Sequence, residues 1–308
     1  MRPLSKTILA VAAVAMLIAV ALLASGLLNG PPSSGDRIDT VVTIAPQQAM
    51  VEAIGGDHVS VTLMVPAGQD PHTYEPTSGQ IRAVSSADVY FEVGSGVEFE
   101  LTRMSTLREV NPDMAIADCS RNITLIEQGV PDHDDEADGH QHEGNDPHLW
   151  LSPLNLKQMA RNVFDGLVSV DPDHSGEYEQ NLQAYEARMD SLHENISAML
   201  ADYRGMEFMV FHPAWGYFAH EYGLVQIAIE QEGQEPGPAG ISKIIEQAQR
   251  QDVHVIFVSP QIDSRGAQVI AKEINGEVAR ADPLSTDIEA ELLYLAQEMA
   301  KGFSKQGA

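Results

Sequence analysis

Short apolar runs alternate with amphipathic stretches of helical length through most of this 308-residue chain. Such an alternation is typical of buried strands in a parallel sheet that helices cover on both faces. The predicted strands fall into two series, Val41–Ile44, Val59–Val65, Asp88–Val93 and Met114–Ala117 first, then Phe208–Phe211, Val225–Ile229, Val253–Val258 and Glu277–Ala281. The pattern therefore predicts an α/β fold with two parallel sheets.

The two series are similar in layout. Val41–Gly55 and Phe208–Gly223 both read as a strand, a turn with proline, a helix and a final glycine. Residues 175–203 lie between the series, and their apolar side chains recur at steps of three and four, at Leu182, Tyr185, Met189, Leu192, Ile196 and Leu200. A helix of this length spans roughly 40 Å. We therefore predict an N-terminal lobe at 37–174, a rigid connecting helix at 175–203 and a C-terminal lobe at 204–308.

The N-terminus has the pattern of an export segment. Arg2 and Lys6 precede an apolar run from Ile8 to Leu28, and residues 29–36 have the composition of a linker. The run fits either a cleaved signal peptide or a retained membrane anchor, and both alternatives stay open. In either case the remaining chain is predicted to lie outside the cytoplasm, in the periplasm or at the cell surface.

Charge and cysteine content narrow the function classes. The formal net charge of −27 argues against nucleic acid as a partner, because phosphate recognition requires basic patches. Cys119 is the single cysteine, so one chain cannot form an internal disulfide or a thiolate cluster. Any metal site must be built from histidine, aspartate, glutamate or glutamine.

Four turns carry candidate metal ligands, each next to a proline. His72, His148, His212 and Asp282 stand beside Pro71, Pro147, Pro213 and Pro283. Proline restricts the backbone and helps to hold a neighbouring side chain in place. Most of these turns follow predicted strands, and ligands of parallel sheets bind at the carboxyl ends of the strands. Three imidazoles and one carboxylate would suit a divalent transition metal such as zinc.

From residue 39 to about 304 the chain resembles the zinc and manganese solute-binding proteins of ABC importers, a family that includes some surface proteins first described as adhesins. The motifs that carry the resemblance are residues 65–77 (Val-Pro-Ala-Gly-Gln-Asp-Pro-His-Thr-Tyr-Glu-Pro-Thr), 146–153, 211–217, 258–261 and 282–284. The resemblance implies two lobes joined by one long helix, with a cation between them. It assigns His72 and His148 to the first lobe, and His212 and Asp282 to the second. It also implies a binding protein without enzymatic activity, acting as a monomer with a membrane permease and its cytoplasmic ATPase.

The third ligand position favours one cation over another. Family members that handle manganese often carry glutamate there, whereas this chain has His212. Imidazole-rich sites suit zinc better than manganese, so zinc is the expected cargo and manganese the alternative.

A polar segment at residues 131–146 contains His133, His140 and His142 among seven acidic residues. It has no large apolar side chain and is predicted to be a loop. One interpretation is an accessory zinc site that gathers the ion, as in zinc-handling members of the family. The alternative is a solvated acidic linker with chance histidines.

Two other function classes are compatible with part of this pattern. A zinc-dependent hydrolase would use three protein ligands and an open coordination position. The chain lacks a His-Glu-x-x-His pair and a Gly-x-Ser-x-Gly turn, and four protein ligands would leave no place for a substrate. A surface adhesin with a structural metal would not require four turns of this kind.

Overall fold

We describe a computed structural model of the chain, at residues 37–127, 144–230, 236–261 and 265–305. The export or anchor segment and the three loop histidines, His133, His140 and His142, lie outside these ranges. From Ile38 onward the chain packs as one compact unit. Within the described ranges, none of the helices is both long and apolar enough to cross a lipid bilayer.

The first sheet is parallel and four-stranded, in the order β2-β1-β3-β4. Its strands are rich in β-branched and apolar side chains, which suit a sheet buried on both faces. The elements are β1 (Ile38–Val42), α1 (Ala45–Gly55), β2 (Val59–Leu63), α2 (Ser78–Val84), β3 (Val89–Glu92), α3 (Glu98–Val110), β4 (Ala115–Asp118) and α4 (Pro153–Val170). Since β1 lies between β2 and β3, the loops after β1 and β3 diverge and leave a crevice, the usual ligand position in such sheets.

The second sheet repeats this topology, with the parallel order β6-β5-β7-β8. Its elements are β5 (Glu207–Val210), α6 (Gly216–Tyr222), β6 (Val225–Ala228), α7 (Pro238–Arg250), β7 (Val255–Val258), α8 (Arg265–Glu273), β8 (Glu277–Arg280) and α9 (Ile288–Phe303). Gly223 ends α6 in the left-handed conformation, with φ of 69°, which glycine adopts at little cost. The similar layout of the two halves is thus confirmed as a repeated sheet order.

The connecting helix α5 (Ser175–Leu200) lies between the halves in sequence and packs against both. It contacts α1 and α4, which precede it in sequence, and α9, which follows it. Five of its six predicted apolar positions are buried, and Leu182 is partly buried against the same core. One apolar cluster includes residues of both halves of the chain, among them Phe91 and Trp150 of the first and Phe257 and Leu292 of the second. The helix is therefore an integral part of a shared core, which opposes independent movement of the two halves.

Candidate functional site

His72 lies in the loop that leads from β2 to α2. The loop ends where Thr77 caps α2, and the Gln80 side chain returns a contact to the Thr77 backbone. The Asp70 carboxylate accepts a hydrogen bond from the backbone N–H of His72 at 2.9 Å. Arg103 of α3 pairs with Glu75 in the same loop. The loop is thus shaped from both ends, while the His72 residue itself is exposed.

His148 lies in a buried turn directly before a short 3-10 segment and α4. The Asp146 carboxylate accepts the backbone N–H of His148 at 2.9 Å and its Nδ1–H at 2.8 Å. Both residues are buried. Burial lowers the pKa of His148, the Asp146 carboxylate opposes that shift, and the nearby His212 and His72 rings lower the pKa further. A neutral imidazole results, and its Nε2 remains available as a metal ligand.

His212 follows β5, at the carboxyl edge of the second sheet. Its Nδ1 is 3.0 Å from Oε2 of Glu230, a buried carboxylate that follows the neighbouring strand β6. The pair has the same form as His148 with Asp146: a carboxylate holds Nδ1 and orients the ring. In both cases Nε2 is the nitrogen left for another partner.

The structure brings these three rings together. The ring centroids of His148 and His212 are 5.3 Å apart, and those of His72 and His212 are 6.0 Å apart. Two imidazoles bound to one zinc ion with tetrahedral geometry have centroids about 5 Å apart. Within the described ranges, no three His, Cys, Asp or Glu side chains already surround a common point at metal-binding distances. The two centroid separations are therefore close to those of a zinc site, and binding of an ion would require the rings to approach a common point.

Asp282 lies just beyond β8, and its carboxylate is engaged by its own surroundings. Oδ1 accepts hydrogen bonds from Gln261 Nε2 at 2.8 Å and from the Leu284 backbone at 3.1 Å. Oδ2 accepts one from Arg280 at 3.1 Å. Each carboxylate oxygen has two lone pairs, so the group retains capacity for a further partner.

The His148 turn is also hydrogen-bonded to the second half of the chain at three points. The Trp150 indole donates Nε1–H to the Pro283 carbonyl at 2.7 Å, next to Asp282. The Tyr217 hydroxyl donates to the Asp146 carbonyl at 3.2 Å. Ser152, which caps α4, donates to Glu221 of α6. The geometry of His148 relative to His212 and Asp282 is thus set by direct contacts across the two halves.

Two residues of this arrangement are not among the ligands that the sequence predicts. Asp146 belongs to the motif of His148, and its place two residues before a histidine was a usable signal. Glu230 follows a strand at the carboxyl edge of its sheet, which is only a weak signal. Both carboxylates hold histidine rings, and the contact of Glu230 with His212 is one that spacing along the chain does not reveal.

Comparison with known proteins identifies one family from both sequence and structure. The family profile described as the periplasmic component A of the zinc-uptake complex, ZnuA, matches residues 40–301. The chain is 30% identical over 259 residues to the high-affinity zinc uptake system protein ZnuA of Bacillus subtilis (strain 168), which covers 82% of this chain and 80% of that protein. It is similar to a crystal structure of ZnuA, with a TM-score of 0.80 and 37% identity over 87% of this chain and 99% of that one. A ZnuA deletion mutant solved with zinc bound has a TM-score of 0.79, also at 37% identity, over 87% of this chain and 98% of the mutant.

Proposed function

Because this chain belongs to the family of periplasmic zinc-uptake components, we propose that it captures Zn²⁺ outside the cytoplasm and delivers it to an ABC importer. The family is a transport component rather than an enzyme, as the sequence led us to expect. The observation that carries the proposal is the convergence of the His72, His148 and His212 rings, with centroids 5.3 and 6.0 Å apart. A hydrolase and an adhesin gain no comparable support.

The proposed ligands are Nε2 of His148 and His212, an imidazole nitrogen of His72, and the Asp282 carboxylate. The first two rings are oriented by Asp146 and Glu230, which act as outer carboxylates. His72 lies on an exposed loop, and a small movement of this loop would complete the coordination shell of the cation. Asp282 would join by a free lone pair while Gln261 continues to hold the same side chain. We infer a site that is largely arranged before the cation arrives.

Zinc is the proposed cargo, since neutral imidazoles are borderline ligands that favour it over manganese. The test is calorimetric titration of metal-stripped protein with Zn²⁺ and Mn²⁺ in parallel. We expect one tight zinc site per chain and weaker binding of manganese. Tighter binding of manganese would reverse the assignment of the cargo, and no stoichiometric binding of either ion would refute the proposed function.

Asp146→Asn is expected to lower zinc affinity by about 10- to 100-fold, the usual cost of losing a partner that orients a metal ligand. The amide keeps the size of the side chain but cannot stabilise the Nδ1–H tautomer of His148 as a carboxylate does. Competition with a fluorescent zinc chelator measures the effect. Asp165→Asn is the matched control, because Asp165 forms an exposed pair with Arg121. Equal affinities of the two variants would contradict the role of Asp146.

The accessory loop remains a proposal from the sequence. We propose that His133, His140 and His142 form a weak secondary zinc site that raises the supply of ions to the main site. Deletion of residues 133–143 is expected to change the affinity of the main site by less than about threefold, because the carboxylates that orient His148 and His212 are those of Asp146 and Glu230. It is also expected to remove any second, weaker phase of the titration. A loss as large as that caused by removing a ligand histidine would show that the loop belongs to the main site.

The family is periplasmic, which agrees with the predicted place of the chain outside the cytoplasm. We propose that residues 1–36 direct export, either as a cleaved signal or as a retained anchor, and that the chain acts as a monomer. Its partners would be a membrane permease and the ATPase of that importer. Binding of the zinc-loaded protein to permease in nanodiscs, compared with metal-free protein, would test the delivery step.

A further inference from the structure

Glu100 is a buried carboxylate in the first turn of α3, and only 7% of the residue is exposed. A charge in such a place is costly unless it is hydrogen-bonded. Glu100 accepts the backbone N–H groups of Val93 at 2.6 Å and Gly94 at 3.0 Å, and also the Thr43 hydroxyl. Thr43 in turn contacts the Tyr90 hydroxyl at 2.9 Å. These contacts join the loops after β1 and β3, where the crevice of the first sheet opens.

The turn that Glu100 holds is connected to the His148 turn. Ser95, the next residue after Gly94, donates its hydroxyl to the Pro147 carbonyl, directly before His148. Gly94 suits this turn, because its φ is 78°, in the region that favours glycine, and an added Cβ would meet Asp118 Oδ1 at 2.0 Å. A short path of contacts therefore runs from the Glu100 carboxylate through Ser95 to the backbone of a proposed zinc ligand.

We propose that Glu100 is a positioning residue for cation capture: its ionised carboxylate holds the 93–95 turn, and through Ser95 it sets the backbone that carries His148. This inference rests on the proposed function, since it concerns the same cation site. A buried position on a helix face would otherwise suit an apolar side chain. The presence of a carboxylate at this buried position is explained if its hydrogen bonds with Val93 and Gly94 are needed to keep the 93–95 turn in place.

The ionisation of Glu100 changes near neutral pH. Burial raises its pKa to about 7, against the opposing hydrogen bonds from Thr43, Gly94 and Val93, and the Glu92 charge raises it further. Tyr90 on β3 and Cys119 after β4 also interact with its charge, and burial raises the pKa of both. The contribution of Glu100 to positioning is thus present above about pH 7 and is lost as pH falls through that value. Protonation turns one acceptor oxygen into a donor, which weakens the hold on the turn.

The test compares the zinc affinity of wild type and Glu100→Gln in the full chain between pH 6 and 8.5. Both proteins share the histidine ligands, so the ratio of their affinities removes the common effect of imidazole protonation. We expect Glu100→Gln to bind zinc about tenfold more weakly at pH 8 and about equally at pH 6, with the ratio changing near pH 7. The matched control is Glu109→Gln, because Glu109 is an exposed residue of the same helix. The ratio of the zinc affinities of wild type and Glu109→Gln should stay near one throughout this pH range.

A ratio that does not depend on pH would overturn the inference while leaving zinc capture in place. Failure of the wild type to bind zinc would overturn the proposed function, and this inference with it. A readout without metal is the pH titration of the Val93 and Gly94 amide resonances by NMR. They should shift with a midpoint near pH 7 in wild type and not in Glu100→Gln. The absence of that midpoint in wild type would also overturn the inference.

Ser95→Ala is an independent test of the contacts that connect Glu100 through Ser95 to Pro147. It can be carried out even if Glu100→Gln fails to fold. It removes the contact with Pro147 and leaves Glu100 unchanged. We expect zinc affinity to fall several-fold at pH 8 and less at pH 6, and the Ser95→Ala/Glu100→Gln double variant to lose no more than the stronger single variant. Additive losses would show that Glu100 does not act through Ser95.

Discussion

Replacing His148 with alanine is expected to lower zinc affinity by more than about 100-fold, since loss of an outer partner alone costs 10- to 100-fold. His148 is the most enclosed of the three rings, and its Nε2 is free because Asp146 holds Nδ1. The turn that carries His148 is connected to the second half through Trp150, Tyr217 and Ser152, so a replacement ligand would have to enter without moving that turn. His72→Ala should show a similar loss, because the three rings form one cluster.

The measurement is a competition titration at pH 7.5, with His254→Ala as the control. His254 precedes β7 and pairs with Asp252, outside the ring cluster. We expect the control to bind zinc as wild type does. If the control lost as much affinity as His148→Ala, the effect would reflect general destabilisation, and the assignment of His148 as a ligand would fail.

Replacing Trp150 with alanine is expected to lower the free energy of unfolding by about 3–5 kcal/mol, the usual range for removing a large buried aromatic side chain. Trp150 is 2% exposed, and its ring centroid is 5.3 Å from that of His148. The substitution also removes the donor to the Pro283 carbonyl, which links residues 133 positions apart in sequence. Packing and a contact between the two halves are lost together.

Urea denaturation of metal-free protein measures this loss. Trp150→Phe separates its two parts, because phenylalanine keeps most of the packing but leaves the Pro283 carbonyl without its donor. We expect Trp150→Phe to cost about 1–3 kcal/mol, the penalty for an unsatisfied buried polar group. Both variants should also bind zinc more weakly than wild type. A cost below about 1 kcal/mol for Trp150→Ala would mean that the two halves do not depend on this contact.

Most of the secondary structure follows from local pattern. The eight predicted strands agree with the observed ones to within a few residues, because each is a short apolar run bounded by turn residues. The connecting helix that the sequence predicts at 175–203 is α5, followed by a 3-10 segment at Ala201–Tyr203. Its role was less predictable, since packing against elements of both halves is a property of the assembled core.

The sequence by itself determined the two series of parallel strands, the helix between them, and the choice of three proline-flanked histidines as candidate ligands. Proline turns and apolar periodicity act over a few residues, so they can be interpreted without a structure. Tertiary structure alone decided that a carboxylate from a neighbouring strand holds His212. Glu230 contacts His212 across 18 positions, and Tyr217 contacts the Asp146 carbonyl across 71. The burial that makes Glu100 titrate near neutral pH likewise comes from packing of distant segments, for which local sequence has no signal.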